Sequence, residues 1–218
     1  MSTILHVSPE SSSSVIQQAA QCINDGGVVA VGTESFYALA ASALNGCAVT
    51  RVADLKGRSS EKPILAMIGD VSHIPLLVEF VSPVAELIIK GFWPGPLTLI
   101  FPARATIPAE LTAGTNTVGI RLPNSDFLQS LLTLTGPLTG TSANRAGAQP
   151  GRTAFEVHEQ FNDCLELILD SGPSPGGQPS TILAIGESIR ILRHGPVTQG
   201  DIEQVLASQG LSLSSEGV

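Results

Sequence analysis

Apolar positions in this chain come in short runs divided by glycine and proline. Val28 to Val31, Ile64 to Ile68, Leu97 to Phe101, Val118 to Leu122, Leu165 to Asp170 and Thr181 to Ile185 read as strands, because each run is too short for a buried helix. Helical spacing is confined to other stretches. Between Ser11 and Asn24, apolar residues recur at Val15, Ala19, Cys22 and Ile23; serines offer an N-cap, and Asp25-Gly26-Gly27 ends the helix. Cys47 to Leu55, Pro83 to Gly91, Asp126 to Leu134 and Thr198 to Ser208 read as further helices. Pro63 bars helical backbone at Lys62, and Trp93-Pro94-Gly95-Pro96 must be a turn or an irregular segment. This alternation, with no internal repeat and no convincing linker, predicts one α/β domain with a helix-covered sheet. The domain is expected over residues 1–210, with a flexible tail over 211–218.

Composition narrows the class. At 218 residues the chain is long enough for a substantial core, and 43% hydrophobic against 14% charged residues excludes general disorder. No apolar run approaches the roughly 18 residues of a membrane span. The opening MSTILHVSPESSSS lacks a basic segment followed by a long apolar one, so it does not read as a secretory signal. Cys22, Cys47 and Cys164 are scattered and odd in number. They are expected as reduced, buried small hydrophobes, which favours cytoplasmic residence and no metal site. The net charge is −8, from 11 Lys and Arg against 19 Asp and Glu, and this argues against broad binding to a nucleic-acid backbone. There are only three lysines, and two of them, Lys56 and Lys62, share one seven-residue stretch with Arg58. Where scarce positive charge gathers, an anionic ligand is expected.

The common nucleotide signatures are missing: neither G-x-x-x-x-G-K-[ST] nor a G-x-G-x-x-G after Val28 to Val31 occurs. Bound phosphates would have to be held by side chains and irregular loops. Lys56-Gly57-Arg58 with Lys62-Pro63 could converge on one anion, though read alone it is a solvated basic turn before it is a site. Gly140-Thr141-Ser142-Ala143-Asn144 suits close contact with a polar ligand or, equally, a capped turn. Arg121 stands in the apolar strand Ile120 to Leu122, where burial requires an internal carboxylate or an anionic ligand. Pro179-Ser180-Thr181 and Arg193-His194-Gly195 carry little by themselves. Ser59-x-x-Lys62 imitates the penicillin-binding serine enzymes, but Pro63 keeps the pair off one helical face.

Taken in order, these segments resemble the YrdC-like family. Its Pro-Thr-[Asp/Glu]-Thr-hydrophobic-Tyr-Gly-Leu motif appears as Gly32-Thr33-Glu34-Ser35-Phe36-Tyr37-Ala38-Leu39. Its Lys-x-Arg-Pro…Lys/His-Pro segment appears as Lys56-Gly57-Arg58-Ser59…Lys62-Pro63. The Trp-Pro-Gly-Pro-Leu-Thr block is intact at Trp93 to Thr98, followed by the Val-Arg-x-Pro counterpart at Ile120 to Pro123. Ser142-Ala143-Asn144, Ser180-Thr181 and Arg193-His194-Gly195 complete the series, so the likeness covers roughly residues 12 to 207. Four positions depart from the pattern: Gly32, Ser35, Ala38 and Ser59. They leave room for a divergent paralogue with a changed substrate or lost activity.

The resemblance implies a short, single-domain form of a threonylcarbamoyl-AMP synthase, a nucleotidyltransferase with a mixed, twisted sheet and an electropositive concave cavity. Its substrates would be ATP with Mg²⁺, L-threonine and bicarbonate, and its product would serve threonylcarbamoyladenosine formation in tRNA through downstream tRNA-modification proteins. Carried over by residue, Thr33, Lys62, Arg121, Ser142 and Ser180 would surround threonine, with Arg121 on its carboxylate. Lys56, Arg58, Asn144, Arg152 and Arg193 would serve ATP. Lys56, Arg58, Ser142 and Asn144 are the catalytic candidates, Tyr37 either walls the pocket or packs, and no nucleophile or general base is assigned. Two other readings stay open: a non-catalytic nucleotide- or double-stranded-RNA-binding paralogue, and carbamoyl transfer through a carbamoyl-adenylate.

Overall fold

The computed structural model describes residues 2–57 and 62–214; Arg58 and Ser59 therefore lie outside the described residues. The expected mixed sheet is present as two sheets. The first contains β1 (Thr3–His6), β2 (Val29–Gly32), β3 (Tyr37–Ala40), β8 (Thr141–Ser142) and β9 (Leu167–Asp170), in the order β1-β9-β2-β3-β8. The second contains β4 (Ala66–Met67), β5 (Leu97–Pro102), β6 (Thr117–Arg121), β7 (Leu138–Thr139), β10 (Thr181–Ile185) and β11 (Ile189–Arg193), in the order β11-β10-β5-β6-β4-β7. Both mix parallel and antiparallel neighbours. The helices are α1 (Ser12–Asn24), α2 (Gly46–Lys56), α3 (Pro83–Phe92), α4 (Ala109–Thr112), α5 (Asp126–Thr135), α6 (Ala154–Phe161) and α7 (Gln199–Ala207).

Local chemistry sets the helix ends. Asn45, Ser82, Ser125 and Thr153 each accept a backbone N–H of the first turn of α2, α3, α5 and α6, respectively. Thr198 opens α7 with a reciprocal capping box to Asp201. α2 ends at Gly57, whose φ of 60° suits a residue without Cβ. Along β2, Val29 and Val31 join a core formed with α1 and α5, while Ala30 joins the opposite core with α2 and α6. Strand alternation thus covers the first sheet on both faces.

The second sheet differs. Leu97, Leu99 and Phe101 of β5 and Leu183 of β10 enter the main core with α3 and α7. The intervening Thr98, Ile100 and Ile182, with Gly119 and Arg121 of β6, face a cavity instead.

Several expectations change. Ile64 to Ile68 pairs as a strand only at Ala66–Met67, although Ile64 and Ile68 are buried. β1, β3, β7, β8, β11, α4 and α6 were not expected from the pattern of the sequence. The cysteines are free, but Cys47 and Cys164 are exposed, so burial holds only in part for Cys22. Burial pushes that thiol up to about 11. In the segment after α7, Leu213 packs on the core and the Ser214 N–H donates to the Ile189 carbonyl at 2.9 Å. No helix among the described residues is long and apolar enough to cross a membrane.

Candidate active site

A cavity of about 500 Å³ opens between the β2–β3 turn and β8 on one side and the second sheet on the other. Thr33, Lys56, Arg121, Ser142, Ser180 and Arg193 all line it, though they lie as far apart as 160 positions in sequence. Its floor is apolar, with Leu65, Met67, Ile100 and Ile182 among the lining side chains. Polar groups converging over an apolar floor are the usual form of a small-molecule site.

Arg121 ends β6 with a side chain only 9% exposed. Its Nε donates to the Gly95 carbonyl at 3.1 Å, so the Trp93 to Pro96 segment acts as a brace. That segment is itself fixed, because Trp93 Nε1 donates to the Leu97 carbonyl at 2.7 Å and the Gly95 N–H to the Leu122 carbonyl at 2.9 Å. Arg121 also forms an ion pair with Glu34, the internal carboxylate that its burial demanded. The two meet as charges without a well-aligned N–H···O bond, and Glu34 Oε2 is buried with no hydrogen-bond partner. Glu34 Oε1 accepts the Asn124 N–H at 3.1 Å, which ties the β2–β3 turn to the second sheet.

Arg193 brings a second guanidinium. Its Nε and Nη2 donate to the Ser180 carbonyl at 3.0 and 2.8 Å, and Nη2 also reaches Ser180 Oγ at 3.1 Å. Ser180 Oγ in turn shares a 2.8 Å hydrogen bond with Thr98 Oγ1. Gly195 is required for this arrangement, since a Cβ there would sit on the Pro179 carbonyl oxygen and the Thr181 nitrogen. Burial, and then the charge of Arg121, hold Arg193 below the usual guanidinium range. An anion in the cavity relieves both costs.

Lys56 is spent differently. Its Nζ donates to the carbonyls of Ser142 and Asn144 at 2.6 and 3.2 Å, and to Asn144 Oδ1 at 2.9 Å; Ser142 Oγ stands at 3.3 Å. Ser142 Oγ donates to Asn144 Oδ1 at 2.6 Å, and Asn144 Nδ2 donates to the Arg145 and Ala148 carbonyls. Asn144 therefore stands behind the wall, as the centre of the turn that presents Ser142. Lys62 is exposed and its neighbour Pro63 lines the cavity. Arg152 lies in an adjoining groove that shares Phe36 and Pro150 with the cavity, and its Nη2 donates to the Pro175 carbonyl at 3.0 Å. Arg58 lies outside the described residues.

Tyr37 is buried in the wall. Its hydroxyl donates to the Gly172 carbonyl at 2.9 Å and lies 3.3 Å from Asp170 Oδ1. Burial is the main cause pushing it up to about 12. At Gly32, one of the departures from the family pattern, a Cβ would meet the Ser171 hydroxyl. Two site residues had no role assigned from the sequence. Glu34 and Thr98 both lay inside quoted motifs, and only their positions there signalled them.

The Sua5/YciO/YrdC family model, described as "Telomere recombination", matches residues 21–195. The chain belongs to this family. A threonylcarbamoyl-AMP synthase of Pyrococcus abyssi is 34% identical over 94% of this chain and 61% of its own length. This chain thus spans about three fifths of that relative. A synthase of the same name from Pseudomonas aeruginosa is 35% identical over 80% of this chain and 95% of its own. Among solved structures, Sua5 of P. abyssi complexed with L-threonine superposes with a TM-score of 0.89 at 31% identity, over 98% of this chain and 62% of that one. Escherichia coli YciO shares the fold, with a TM-score of 0.81 at 24% identity over 93% of this chain and 100% of that one. The two-sheet α/β architecture with its helices is therefore the Sua5/YciO/YrdC fold. Among the described residues, no group of three or more His, Cys, Asp or Glu side chains is arranged to hold a metal ion.

Proposed function

We propose that the cavity binds L-threonine and ATP and that the chain condenses them with bicarbonate into threonylcarbamoyl-AMP and pyrophosphate, for threonylcarbamoyladenosine formation in tRNA. The observation that carries this reading is the pair of guanidiniums lining one cavity, Arg121 buried and Arg193 half-buried, close enough for their charges to repel. Such a cavity favours two anionic reactants brought together. The names of the relatives, and the threonine bound to one of them, supply their chemistry.

In this reading the threonine amine takes up carbon dioxide from bicarbonate. A carbamate oxygen then attacks the α-phosphorus; a new P–O bond forms, and the bond to the β-phosphate breaks with its electron pair leaving on pyrophosphate. Arg121 holds the amino-acid carboxylate, while Arg193 serves the phosphates, a role the family likeness assigns to Arg58 as well. Ser142 and Ser180 offer hydroxyls to the reactants, and Lys56 with Asn144 holds Ser142 in place. Mg²⁺ arrives as the counter-ion of the nucleotide. The protein contributes position and charge neutralisation rather than a nucleophile. Cytoplasmic residence belongs to the same reading. Purified protein given Mg-ATP, L-threonine and bicarbonate is expected to release pyrophosphate in a threonine-dependent way. Release no greater than that of an Arg121→Ala variant would sink the proposal.

A further inference from the structure

Thr98 lines the cavity, yet no reactant falls to it. It stands in register with Ile182 of β10, which is in register with Arg193 of β11, so one row of the second sheet runs from Thr98 to the second guanidinium. Thr98 is buried, and among the described residues its hydroxyl makes one hydrogen bond, the 2.8 Å contact with Ser180 Oγ. Ser180 is buried as well, and the backbone beside it is pinned. The Thr181 N–H donates to the Pro96 carbonyl at 3.0 Å, and Thr181 Oγ1 donates to the Val197 carbonyl at 2.7 Å. What stays free at Ser180 is the side-chain torsion, and the bond to Thr98 selects one of its staggered positions.

That position decides how Arg193 is held. A guanidinium only donates. Nε and Nη2 both reach the Ser180 carbonyl, and donors that meet at a single oxygen leave the planar group free to pivot about it. Ser180 Oγ, 3.1 Å from Nη2, is a second acceptor away from that atom, and two acceptors fix the plane. Nη1 has no protein partner among the described residues and is not sealed from solvent, so it is the edge left for an anion. We propose that Thr98 is a positioning residue: its hydroxyl sets the Ser180 side chain, and Ser180 Oγ sets the plane in which Arg193 meets phosphate. This rests on the nucleotide reading of the cavity given above, and it adds a residue that touches no reactant. A valine at position 98 takes from Ser180 Oγ its one partner besides Arg193, so the torsion is no longer selected and the second acceptor drifts. Buried polar networks respond in this way, losing more than the single bond that is cut.

The test compares Mg-ATP with adenosine by calorimetric titration into the whole chain. Thr98→Val keeps the shape and removes the hydroxyl. It should weaken ATP by about fivefold, the scale of one hydrogen bond, and change adenosine less than twofold. Thr98→Ser restores the hydroxyl and should return ATP to within twofold of the unaltered protein. Ser180→Ala cuts the same link from the other end and should weaken ATP by a like factor. Adding Thr98→Val to Ser180→Ala should then cost less than a further twofold, because the two groups act in series. If ATP stays within twofold in Thr98→Val, or if adenosine weakens as much as ATP, Thr98 serves only the packing of the sheet and the proposal is wrong. If the two losses multiply in the double variant, Thr98 does not act through Ser180, and the proposal is again wrong. Should Thr98→Val fail to fold, Ser180→Ala carries the same comparison, and equal losses of ATP and adenosine overturn the proposal there. Failure of the unaltered protein to bind ATP overturns the nucleotide reading itself, an outcome distinct from a variant that binds both ligands without the expected difference.

Discussion

Lys56 Nζ has three protons to give, and among the described residues four oxygens of Ser142 and Asn144 lie within 3.3 Å of it. The residue is only 7% exposed, so those oxygens stand in for water around its ammonium. The sequence placed Lys56 among the phosphate-binding candidates because a cation near Arg58 reads as an anion site. The structure gives it a prior task, holding the Ser142 to Asn144 turn to the end of α2. Lys56→Met would leave buried carbonyl oxygens without donors, at roughly 1–3 kcal/mol for an orphaned group. The expected result is a lower denaturation midpoint, together with affinities for adenosine, AMP, ADP and ATP that fall by similar factors. A loss that grows with each added phosphate would instead mark Lys56 as a direct phosphate ligand. Arg121 illustrates the same lesson from the other side. A strand arginine was expected to need a carboxylate or an anion, and it has the carboxylate while facing the space for the anion.

Long elements with clear periodicity were legible. α1, α3 and α5 carry apolar stripes; the serine N-cap read before α1 makes no side-chain cap hydrogen bond, whereas Ser82 and Ser125, not read as caps, do cap α3 and α5. β3, with the sequence YALA, was not legible because four small or mixed residues show no alternation. All four are buried by their neighbours in the sheet. α7 gives a test at this scale. The Thr198 side chain, and then its backbone N–H, hold the Asp201 carboxyl below the usual carboxylate range. A lowered folded value means the contribution is present above the unfolded carboxylate value and is lost as the pH falls through the folded one. Thr198→Ala should therefore lower the thermal midpoint at neutral pH, with a smaller difference in acid, where the box is already weakened. A difference undiminished at low pH would show that the carboxylate takes no part in capping.

The whole molecule is two sheets that share a core and leave one face of the second sheet open as the cavity. A ligand seated there touches the β2–β3 turn, β6, β8 and β10 together, so binding is linked to the stability of the assembly. If L-threonine and Mg-ATP are the ligands, each should raise the thermal midpoint with increasing concentration. At 100 times Kd the stabilisation by one ligand is about 2.7 kcal/mol. An unchanged midpoint at millimolar ligand would count against this linkage and against the proposed substrates.

Sequence alone determined the α/β class, the principal helices and strands, and a set of separated polar segments in family order, because periodicity, caps and motif composition are local properties. It named six side chains that share the cavity. It could not tell that Lys56, while lining the cavity, also clasps the Ser142 to Asn144 turn, nor place Arg152 in the adjoining groove, because those contacts depend on where distant carbonyls lie. Only the tertiary structure joined Glu34 to Arg121 across 87 positions and left an oxygen and a nitrogen of that pair unsatisfied beside a cavity. Burial and pairing are properties of the packed chain, and no local pattern carries them.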